Sequence, residues 1–278
     1  MKSVAIHYLT LIRPVNCIIT IISIFISCLL AGGTSEIILK MFFAAFSGGL
    51  IAASGMIIND IFDYEIDKVN KPKRPIASGK ISLQSASTFY GILVGISLLL
   101  NLFLYLNAQI IAMTAIILLF YYSYKLKRTP LIGNIVIGLL TGFAFIYGGA
   151  VAGNIEQTIF PAMFAFLINV GREIIKDMED VEGDAKEGAV TFPIKYGIKK
   201  AGMVASIFLI VLMIVTIIPV IIHYYGMQYF FSVMLGVNSV ILYVIISLMK
   251  NQSVKNLHTL STILKYDMVV GLIAIYVG

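Results

Sequence analysis

Two aspartate-rich segments of this chain share one spacing, D-x-x-D-x-x-x-D. Their aspartates are Asp60, Asp63 and Asp67 in the first motif and Asp177, Asp180 and Asp184 in the second. The two motifs are related by a constant offset of 117 residues. On a helix, positions i, i+3 and i+7 lie within an arc of about 60° on one face. Three carboxylates placed this way repel one another unless a cation neutralises them.

The dense carboxylates predict magnesium binding. Mg²⁺ prefers hard oxygen ligands and is typically held by one or two carboxylates together with substrate phosphates. We therefore expect the two motifs to face each other and to hold Mg²⁺ ions with a diphosphate between them. A solvated helix end, with its acids paired to loop lysines, explains one such motif. It does not explain two motifs in matching register.

Basic residues accompany both motifs and predict contacts with phosphate oxygens, which arginine and lysine both bind well. The basic residues that we expect to contact substrate are Arg13, Lys73, Arg74, Lys125, Lys127, Arg172 and Lys176. Other lysines are expected to be ordinary loop charges, and these are Lys195, Lys199, Lys200, Lys250, Lys255 and Lys265.

The elements that position these residues are apolar enough to cross a membrane. The chain has 278 residues, of which 59% are hydrophobic and 12% charged, whereas soluble domains contain about 25% charged residues. Apolar runs that span a bilayer occur at 14–33, 37–58, 83–106, 108–124, 131–153, 158–175, 201–222, 228–249 and 262–277. Backbone groups in lipid must be satisfied within each segment, which requires helices. We predict a single all-α domain, residues 1–278, forming a polytopic bundle of about nine transmembrane helices.

The positive charges predict the orientation of this bundle. Nineteen of the 20 Lys and Arg residues lie at the N-terminus, in segments that follow even-numbered spans, or at the span ends next to those segments. The positive-inside rule then places the N-terminus in the cytoplasm of a multi-pass protein of the cell membrane. Both aspartate motifs follow even-numbered spans, so both are expected at the cytoplasmic face. The net charge of +6 thus reflects topology, and no nucleic-acid partner is expected.

At these residues the chain resembles the UbiA-type intramembrane prenyltransferases. The segments that carry the resemblance are Arg13-Pro-Val-Asn16, Asn59 with the first motif, Lys71-Pro-Lys-Arg74-Pro-Ile-Ala-Ser-Gly79, Tyr121-x-x-Tyr124-Lys-x-Lys127 and the second motif. The resemblance implies helices around a central cavity that cytoplasmic loops cap. It also implies metal ligation by Asn59, Asp63, Asp67, Asp180 and Asp184. The predicted ligand set also includes Asp177, and its predicted catalytic members are Asp63, Asp67, Asp180 and Asp184.

Within that family, the sequences around both motifs are most similar to archaeal members with a lipid acceptor. Those members attach a second geranylgeranyl chain to geranylgeranylglyceryl phosphate through an ether bond. The resemblance therefore implies an isoprenyl diphosphate donor, a lipid-phosphate acceptor and Mg²⁺ as cofactor, in contact with membrane lipids. Candidate contacts to the acceptor phosphate are Lys73, Lys125 and Lys127. Candidate residues lining the cavity are Asn16, Tyr121, Tyr124 and Asn169.

Two other functions are compatible with parts of this pattern. Family members with an aromatic acceptor, such as 4-hydroxybenzoate, share the metal motifs. A transporter of Mg²⁺ or of a phosphorylated solute would also need acidic residues in a membrane protein. However, transporters place such sites near the bilayer midplane, whereas both motifs here lie at the ends of spans. No charged pathway crosses the predicted membrane region.

Overall fold

The computed structural model describes residues 2–186 and 188–278, and in this part of the chain it contains helices and no strand. Glu187, an acidic residue close to the second motif, lies outside the described residues. The α-helices are α1 Lys2–Ile12, α2 Pro14–Leu30, α3 Ile38–Phe62, α4 Tyr64–Asn70, α5 Leu83–Asn101, α6 Leu106–Tyr124, α7 Ile132–Ala152, α8 Ile159–Glu179, α9 Val181–Lys186, α10 Phe192–Tyr196, α11 Ile198–Val215, α12 Ile218–Ile221, α13 Met227–Ser232, α14 Ser239–Lys250 and α15 Val254–Val277. A π-helical segment, Val233–Asn238, joins α13 to α14.

The helices are long and apolar enough to make this an integral membrane protein. Among the described residues, eight helices meet the length and hydropathy needed to cross a membrane. A ninth span results if α1 and α2, which meet at an angle of 54°, are counted as one. The prediction of an all-α membrane bundle with about nine spans is confirmed.

A strained residue causes the bend in the first span. Arg13 lies between α1 and α2 in the left-handed conformation, with φ 49° and ψ 71°. Pro14 follows it at the first position of α2. A proline disfavours helical geometry in the residue before it, and its fixed φ suits the first turn of a helix. The break therefore follows from the sequence Arg13-Pro14.

Two predicted boundaries show the differences from the structure that matter most for the placement of residues. The third span was expected to continue to residue 106, but α5 ends at Asn101 and α6 begins at Leu106. The last span was expected to begin at residue 262, but α15 begins at Val254. Lys265 was expected to be an ordinary loop charge. It instead lies inside α15, where its side chain is half-buried.

The chain divides into two compact units. The first unit comprises the residues up to Lys125 together with Phe143–Ile159, and the second comprises Leu126–Gly142 together with Phe160–Gly278. The first unit therefore contains α1–α6 and the end of α7, and the second contains the start of α7 and α8–α15. The first motif lies in the first unit and the second motif in the second. The organisation of residues 1–278 as a single domain stays a prediction.

Small residues allow close helix packing in the first unit. A Cβ added to Gly148 of α7 would lie 2.6 Å from the Cβ of Ser27 and 2.8 Å from the carbonyl oxygen of Ile24, both in α2. Ser27 also donates a hydrogen bond of 2.6 Å to the carbonyl oxygen of Phe145. Close approach at small residues is a common basis of helix association in membranes. These contacts fix α2 and hence the position of Arg13 at its start.

Buried polar side chains connect three further helices of this unit. The Tyr147 hydroxyl of α7 donates a hydrogen bond of 2.8 Å to the side-chain oxygen of Asn101, at the end of α5. Asn101 also donates to Ser47 of α3. Because buried polar groups need partners in an apolar surrounding, this network favours one arrangement of these helices. It holds α3, the helix that carries the first motif, against α5 and α7.

The second unit positions the second motif at the end of α8. Gly138 of α7 lies so close to α8 that an added Cβ would be 2.5 Å from the side chain of Val170. Most of α8 is buried, and its core includes Ile174, Ile175 and Met178. Burial of these apolar side chains stabilises the last turns of α8, from which the motif extends.

Candidate active site

The first motif lies where a long helix gives way to a short one. Helix α3 ends at Phe62, Asp63 has φ −88° and ψ 3°, and α4 begins at Tyr64. Backbone bonding continues across the break. The Asp63 N–H donates to the Asn59 carbonyl at 3.0 Å, and the Asp67 N–H donates to the Asp63 carbonyl at 2.7 Å. The three aspartates therefore stay on adjacent turns.

The second motif has the same construction. Helix α8 ends at Glu179, Asp180 lies outside the helix, and α9 begins at Val181. The Asp180 N–H donates to the Lys176 carbonyl at 3.0 Å, and the Asp184 N–H donates to the Asp180 carbonyl at 2.9 Å. The middle aspartate is thus the break point in both motifs. The expectation that each motif lies on one continuous helix is wrong in this detail, because a local break occurs at Asp63 and at Asp180.

Two arginines neutralise the first aspartate of the first motif. The Asp60 carboxylate lies 2.6 Å from Arg13 Nη2 and 3.0 Å from Arg74 Nη1. Arg74 Nη1 is also 2.6 Å from the Asp67 carboxylate. Burial alone would lower the pKa of Arg74, but the carboxylates of Asp60 and Asp67 raise it above its ordinary value. Asp60 is 3% exposed, and these ion pairs compensate for burial of its charge.

Asp63 has a different partner. The side-chain amide of Asn59 donates a hydrogen bond of 2.9 Å to Asp63 Oδ2. Asn59 lies one turn before Asp63 on α3, so the bond fixes the carboxylate relative to the end of the helix. Asp63 and Asp67 are each 3% exposed. The first motif therefore combines one arginine-bound aspartate with two further carboxylates and an amide.

Polar neighbours also hold the second motif. Asn134, from the start of α7, donates a hydrogen bond of 2.8 Å to Asp177 Oδ2. Glu173 of α8 accepts hydrogen bonds from Arg172 Nη1 at 2.9 Å and from Lys176 Nζ at 2.8 Å. Arg172 Nε donates to the carbonyl oxygen of Ser261 in α15 at 3.0 Å. Two cations that were predicted to contact substrate are therefore fixed on α8 just before the motif.

The chemistry of this donor set fits Mg²⁺. The first motif offers carboxylate and amide oxygens, and the second offers carboxylates, with no cysteine or histidine in either motif. In the described part of the chain, no three His, Cys, Asp or Glu side chains are grouped closely enough to hold a metal ion. Mg²⁺ commonly uses one or two protein carboxylates and completes its octahedron with water and substrate phosphate. Each motif suits that mode of binding, and metal ligation by these residues stays a prediction.

A family model described as the UbiA prenyltransferase family matches residues 20–264. This range includes both aspartate motifs and most of the predicted spans. The chain belongs to the UbiA prenyltransferase family. The resemblance seen in the sequence is confirmed, and the protein is a prenyltransferase enzyme.

Two relatives that match nearly the full length of this UbiA prenyltransferase share one name. A protein of Methanocaldococcus jannaschii named digeranylgeranylglyceryl phosphate synthase is 38% identical over 271 residues, covering 98% of this chain and 95% of the relative. A protein of Methanosphaera stadtmanae with the same name is 35% identical over 273 residues, covering 98% of each chain.

Solved structures support the same fold. A structure described as digeranylgeranylglyceryl phosphate synthase in membranes matches with a TM-score of 0.82 and 37% identity, covering 99% of this chain and 98% of the other. A UbiA homologue of Archaeoglobus fulgidus, bound to GPP and Mg²⁺, matches with a TM-score of 0.72 and 19% identity, covering 97% and 99%. At that identity the second match establishes the shared fold alone.

Several other predicted site residues of this UbiA prenyltransferase lie on surfaces or within helix contacts. Tyr121 and Tyr124 are 55% and 60% exposed near the end of α6, where Tyr124 packs against Phe62 of α3. Asn169 is buried, and its amide donates to the Ala165 carbonyl at 3.0 Å. Asn16 is half-buried in the first turn of α2. A role for these four residues in lining a cavity stays a prediction.

The remaining predicted lysines belong to different units. Lys73 and Lys125 are exposed residues of the first unit, and Lys127 is a half-buried residue of the second. Lys127 forms a polar or electrostatic contact of its own. Contact of these lysines with an acceptor phosphate stays a prediction.

Three neighbours of the motifs were not identified from the sequence. The first is Asn134, which donates a hydrogen bond to Asp177. The second is Glu173, which accepts hydrogen bonds from Arg172 and Lys176. The third is Met56, whose Sδ accepts a hydrogen bond from Arg13 Nη1 at 3.2 Å. The sequence does mark Asn134 as a candidate polar contact, since it is an isolated amide near the start of an apolar span. Met56 gave none, because methionine is an ordinary residue of an apolar helix.

Proposed function

We propose that this UbiA prenyltransferase transfers a geranylgeranyl group from its diphosphate to geranylgeranylglyceryl phosphate, forming an ether bond. The observation that carries the proposal is the pair of matched motifs, each with a helix break at its middle aspartate, Asp63 or Asp180. The relatives named digeranylgeranylglyceryl phosphate synthase support the choice of substrates, since they are 35–38% identical over nearly the full chain.

The two motifs would bind the donor together. In this proposal Asn59, Asp63 and Asp67 of the first motif would hold Mg²⁺, as would Asp177, Asp180 and Asp184 of the second. Mg²⁺ bound there would supply positive charge against the negative charge that builds on the departing diphosphate. The carboxylates fix the position of that charge, and Asn59 and Asn134 keep Asp63 and Asp177 oriented.

The fixed cations of the chain add to this stabilisation. Arg172 and Lys176 are held by Glu173 on the helix that leads into the second motif. Because their positions are set before the donor binds, little reorganisation is needed as negative charge develops. We assign them, with Lys127, to the diphosphate.

The bond changes follow from the substrates. The C1–O bond of the donor breaks, its electron pair leaves with the diphosphate, and C1 becomes an allylic cation. The free hydroxyl oxygen of the acceptor then bonds to C1, and its proton passes to the diphosphate or to a motif carboxylate. Water would capture the cation, so the apolar helices must keep C1 dry while the reaction proceeds.

We also infer that the reaction takes place at the cytoplasmic face of the cell membrane. Both motifs lie at the ends of spans that precede Lys- and Arg-rich segments, and such segments stay in the cytoplasm. The N-terminus would lie on the same side. Both substrates carry charged phosphates, so a site at the membrane surface lets their head groups remain hydrated until they bind.

An acceptor panel tests the proposed function. The purified protein is incubated in detergent with geranylgeranyl diphosphate, Mg²⁺ and either geranylgeranylglyceryl phosphate or 4-hydroxybenzoate. We expect an ether-linked lipid phosphate from the first acceptor and no product from the second. Chelation of Mg²⁺ should stop the reaction, and its readdition should restore it.

Glu65→Gln in α4 is the matched control for substitutions of the motif aspartates in the same assay. Glu65 is an exposed acid of the first motif segment, and it pairs with Lys68 at 3.0 Å at the surface. The Glu65→Gln variant should retain wild-type activity, because exposed ion pairs contribute little to stability. Product from the aromatic acid alone would contradict the proposed acceptor.

A further inference from the structure

The first unit contains a cavity of about 640 Å³ beside the first motif. The end of α1, the helix break, the end of α3 and the loop after α4 form its walls. Its lining residues are Thr10, Arg13, Asp60, Lys71, Pro72, Lys73, Arg74 and Pro75. We call it the basic cavity. Its volume is in the range of small-molecule binding sites, so it accommodates a glycerol phosphate head group.

The charges of the basic cavity favour an anion. Four cationic side chains surround one carboxylate, that of Asp60. Arg13 and Arg74 share Asp60, whereas Lys71 and Lys73 form no ion pair with any described residue. The cavity therefore has a clear excess of positive charge. A phosphate monoester carries about −1.5 to −2 charges near neutral pH and matches this excess.

The base of the basic cavity is rigid. Arg13 is held between Asp60 and Met56 Sδ, at the break between α1 and α2. The loop is fixed by Arg74 on Asp67 and by the buried side chain of Ile76, which is 2% exposed. Pro72 and Pro75 restrict the loop backbone further. Fixed guanidinium groups suit recognition of phosphate oxygens, because little conformational freedom is lost on binding.

The basic cavity is also unsuited to a metal-bound diphosphate. Its one carboxylate, Asp60, is already bound by two arginines. The carboxylates of Asp63 and Asp67 do not line it. Arg74 nevertheless joins the cavity to Asp67 at 2.6 Å, so an anion in the cavity would lie next to the first motif. This is the relation expected between an acceptor phosphate and a donor diphosphate.

We infer that the basic cavity binds the phosphate monoester of the acceptor lipid, with Lys71 and Lys73 as its specificity-determining residues. The inference rests on the proposed function and assigns the acceptor head group to one place in the first unit. Arg13 and Arg74 form the fixed base of the site. Lys71 and Lys73 lie at its exposed rim and complete the binding of the phosphate.

The test compares two acceptors in wild-type protein and in a Lys71→Gln/Lys73→Gln double variant. The acceptors are geranylgeranylglyceryl phosphate and its dephosphorylated form, geranylgeranylglycerol. Wild-type protein should prefer the phosphorylated acceptor. The double variant should raise the KM for that acceptor about tenfold or more, the effect of losing a charge-assisted hydrogen bond. Its KM for geranylgeranyl diphosphate and its activity with geranylgeranylglycerol should change less than about twofold.

The control is Lys80→Gln, because Lys80 is an exposed lysine of the same loop that does not line the basic cavity. An unchanged acceptor KM in the double variant would overturn the inference. An increase in the donor KM alone would also overturn it, since the cavity would then hold the diphosphate. Absence of product from wild-type protein with either lipid acceptor would instead reject the proposed function, so the two failures are distinguishable.

Discussion

Asp60 and Asp63 are three residues apart in the first motif but have different surroundings. Asp60 is paired with Arg13 and Arg74, whereas Asp63 accepts a hydrogen bond from Asn59. In the proposed function, Asp63 binds metal and Asp60 holds two arginines in place. This difference could not be seen in the sequence, because Arg13 lies 47 residues before Asp60.

Substitution of the first of these aspartates should therefore affect mainly stability, and substitution of the second should affect mainly activity. Asp60→Asn should lower the free energy of unfolding by about 1–3 kcal/mol, because two arginines lose a charged partner. Asp63→Ala should reduce prenyl transfer at least about a hundredfold, the scale of losing a group that stabilises transition-state charge. Thermal unfolding in detergent and the rate of product formation measure the two effects.

Full activity of Asp63→Ala would contradict its role as a metal ligand. Unchanged thermal stability of Asp60→Asn would contradict the importance of the two ion pairs. Thermal unfolding of Asp63→Ala provides the necessary check that loss of activity does not come from loss of folded protein.

At the scale of elements, the sequence predicted the existence of the spans better than their ends. The segment from Leu102 to Leu106 is apolar, so hydropathy continues through the turn between α5 and α6. The first turns of α15, from Val254 to Ser261, are mixed in polarity but helical. Helix bounds depend on hydrogen bonding and packing as well as on hydrophobicity. Hydropathy reports hydrophobicity alone.

The bend in the first span was only partly predictable. The Arg13-Pro14 pair indicated that a helix begins there. It did not indicate that α1 precedes the break, or that Arg13 adopts the left-handed conformation. Strained residues of this kind occur where surrounding contacts over-determine the backbone. Here those contacts come from Asp60 and Met56 of α3, which are distant in sequence.

The contact between α2 and α7 gives an element-scale prediction. Gly148→Ala should lower the free energy of unfolding by about 1–3 kcal/mol. The new methyl group would meet Ser27 and the backbone of Ile24 in an interface that is already packed. Gly95→Ala in α5 is the matched control, since a Cβ there has no atom within 4 Å. It should be neutral or slightly stabilising. Equal stability of the two variants would contradict the close approach of α2 and α7.

At the scale of the whole molecule, the family, the helical architecture and both motifs could be inferred from the sequence. The charges carried the functional information, because ionisable residues are rare in a chain that is 59% hydrophobic. The partners of those charges could not be inferred. Asn134 and Glu173 reach their partners only through the packing of α7 and α8 and the spacing of residues on one helix face.

The proposed orientation predicts which residues are accessible from each side of the membrane. Glu36 lies at the start of the α3 span, and Lys68 lies beyond its other end. In spheroplasts, a membrane-impermeant maleimide should label Glu36→Cys, and it should label Lys68→Cys only after permeabilisation. The native Cys17 and Cys28 are buried and unpaired, so their background should be low. Labelling of Lys68→Cys from outside would place the first motif at the outer face of the membrane and contradict the proposed orientation.

The central claim is that the two aspartate motifs share one metal-bound diphosphate. The most direct test is a structure of the protein with Mn²⁺ and geranylgeranyl thiodiphosphate, an unreactive donor analogue, in which anomalous scattering locates the metal. We expect Mn²⁺ within about 2.3 Å of carboxylate oxygens from both motifs, including Asp63 or Asp67 and Asp180 or Asp184, with the diphosphate between them. Mn²⁺ and diphosphate bound to one motif alone, with the other motif distant from both, would contradict the account.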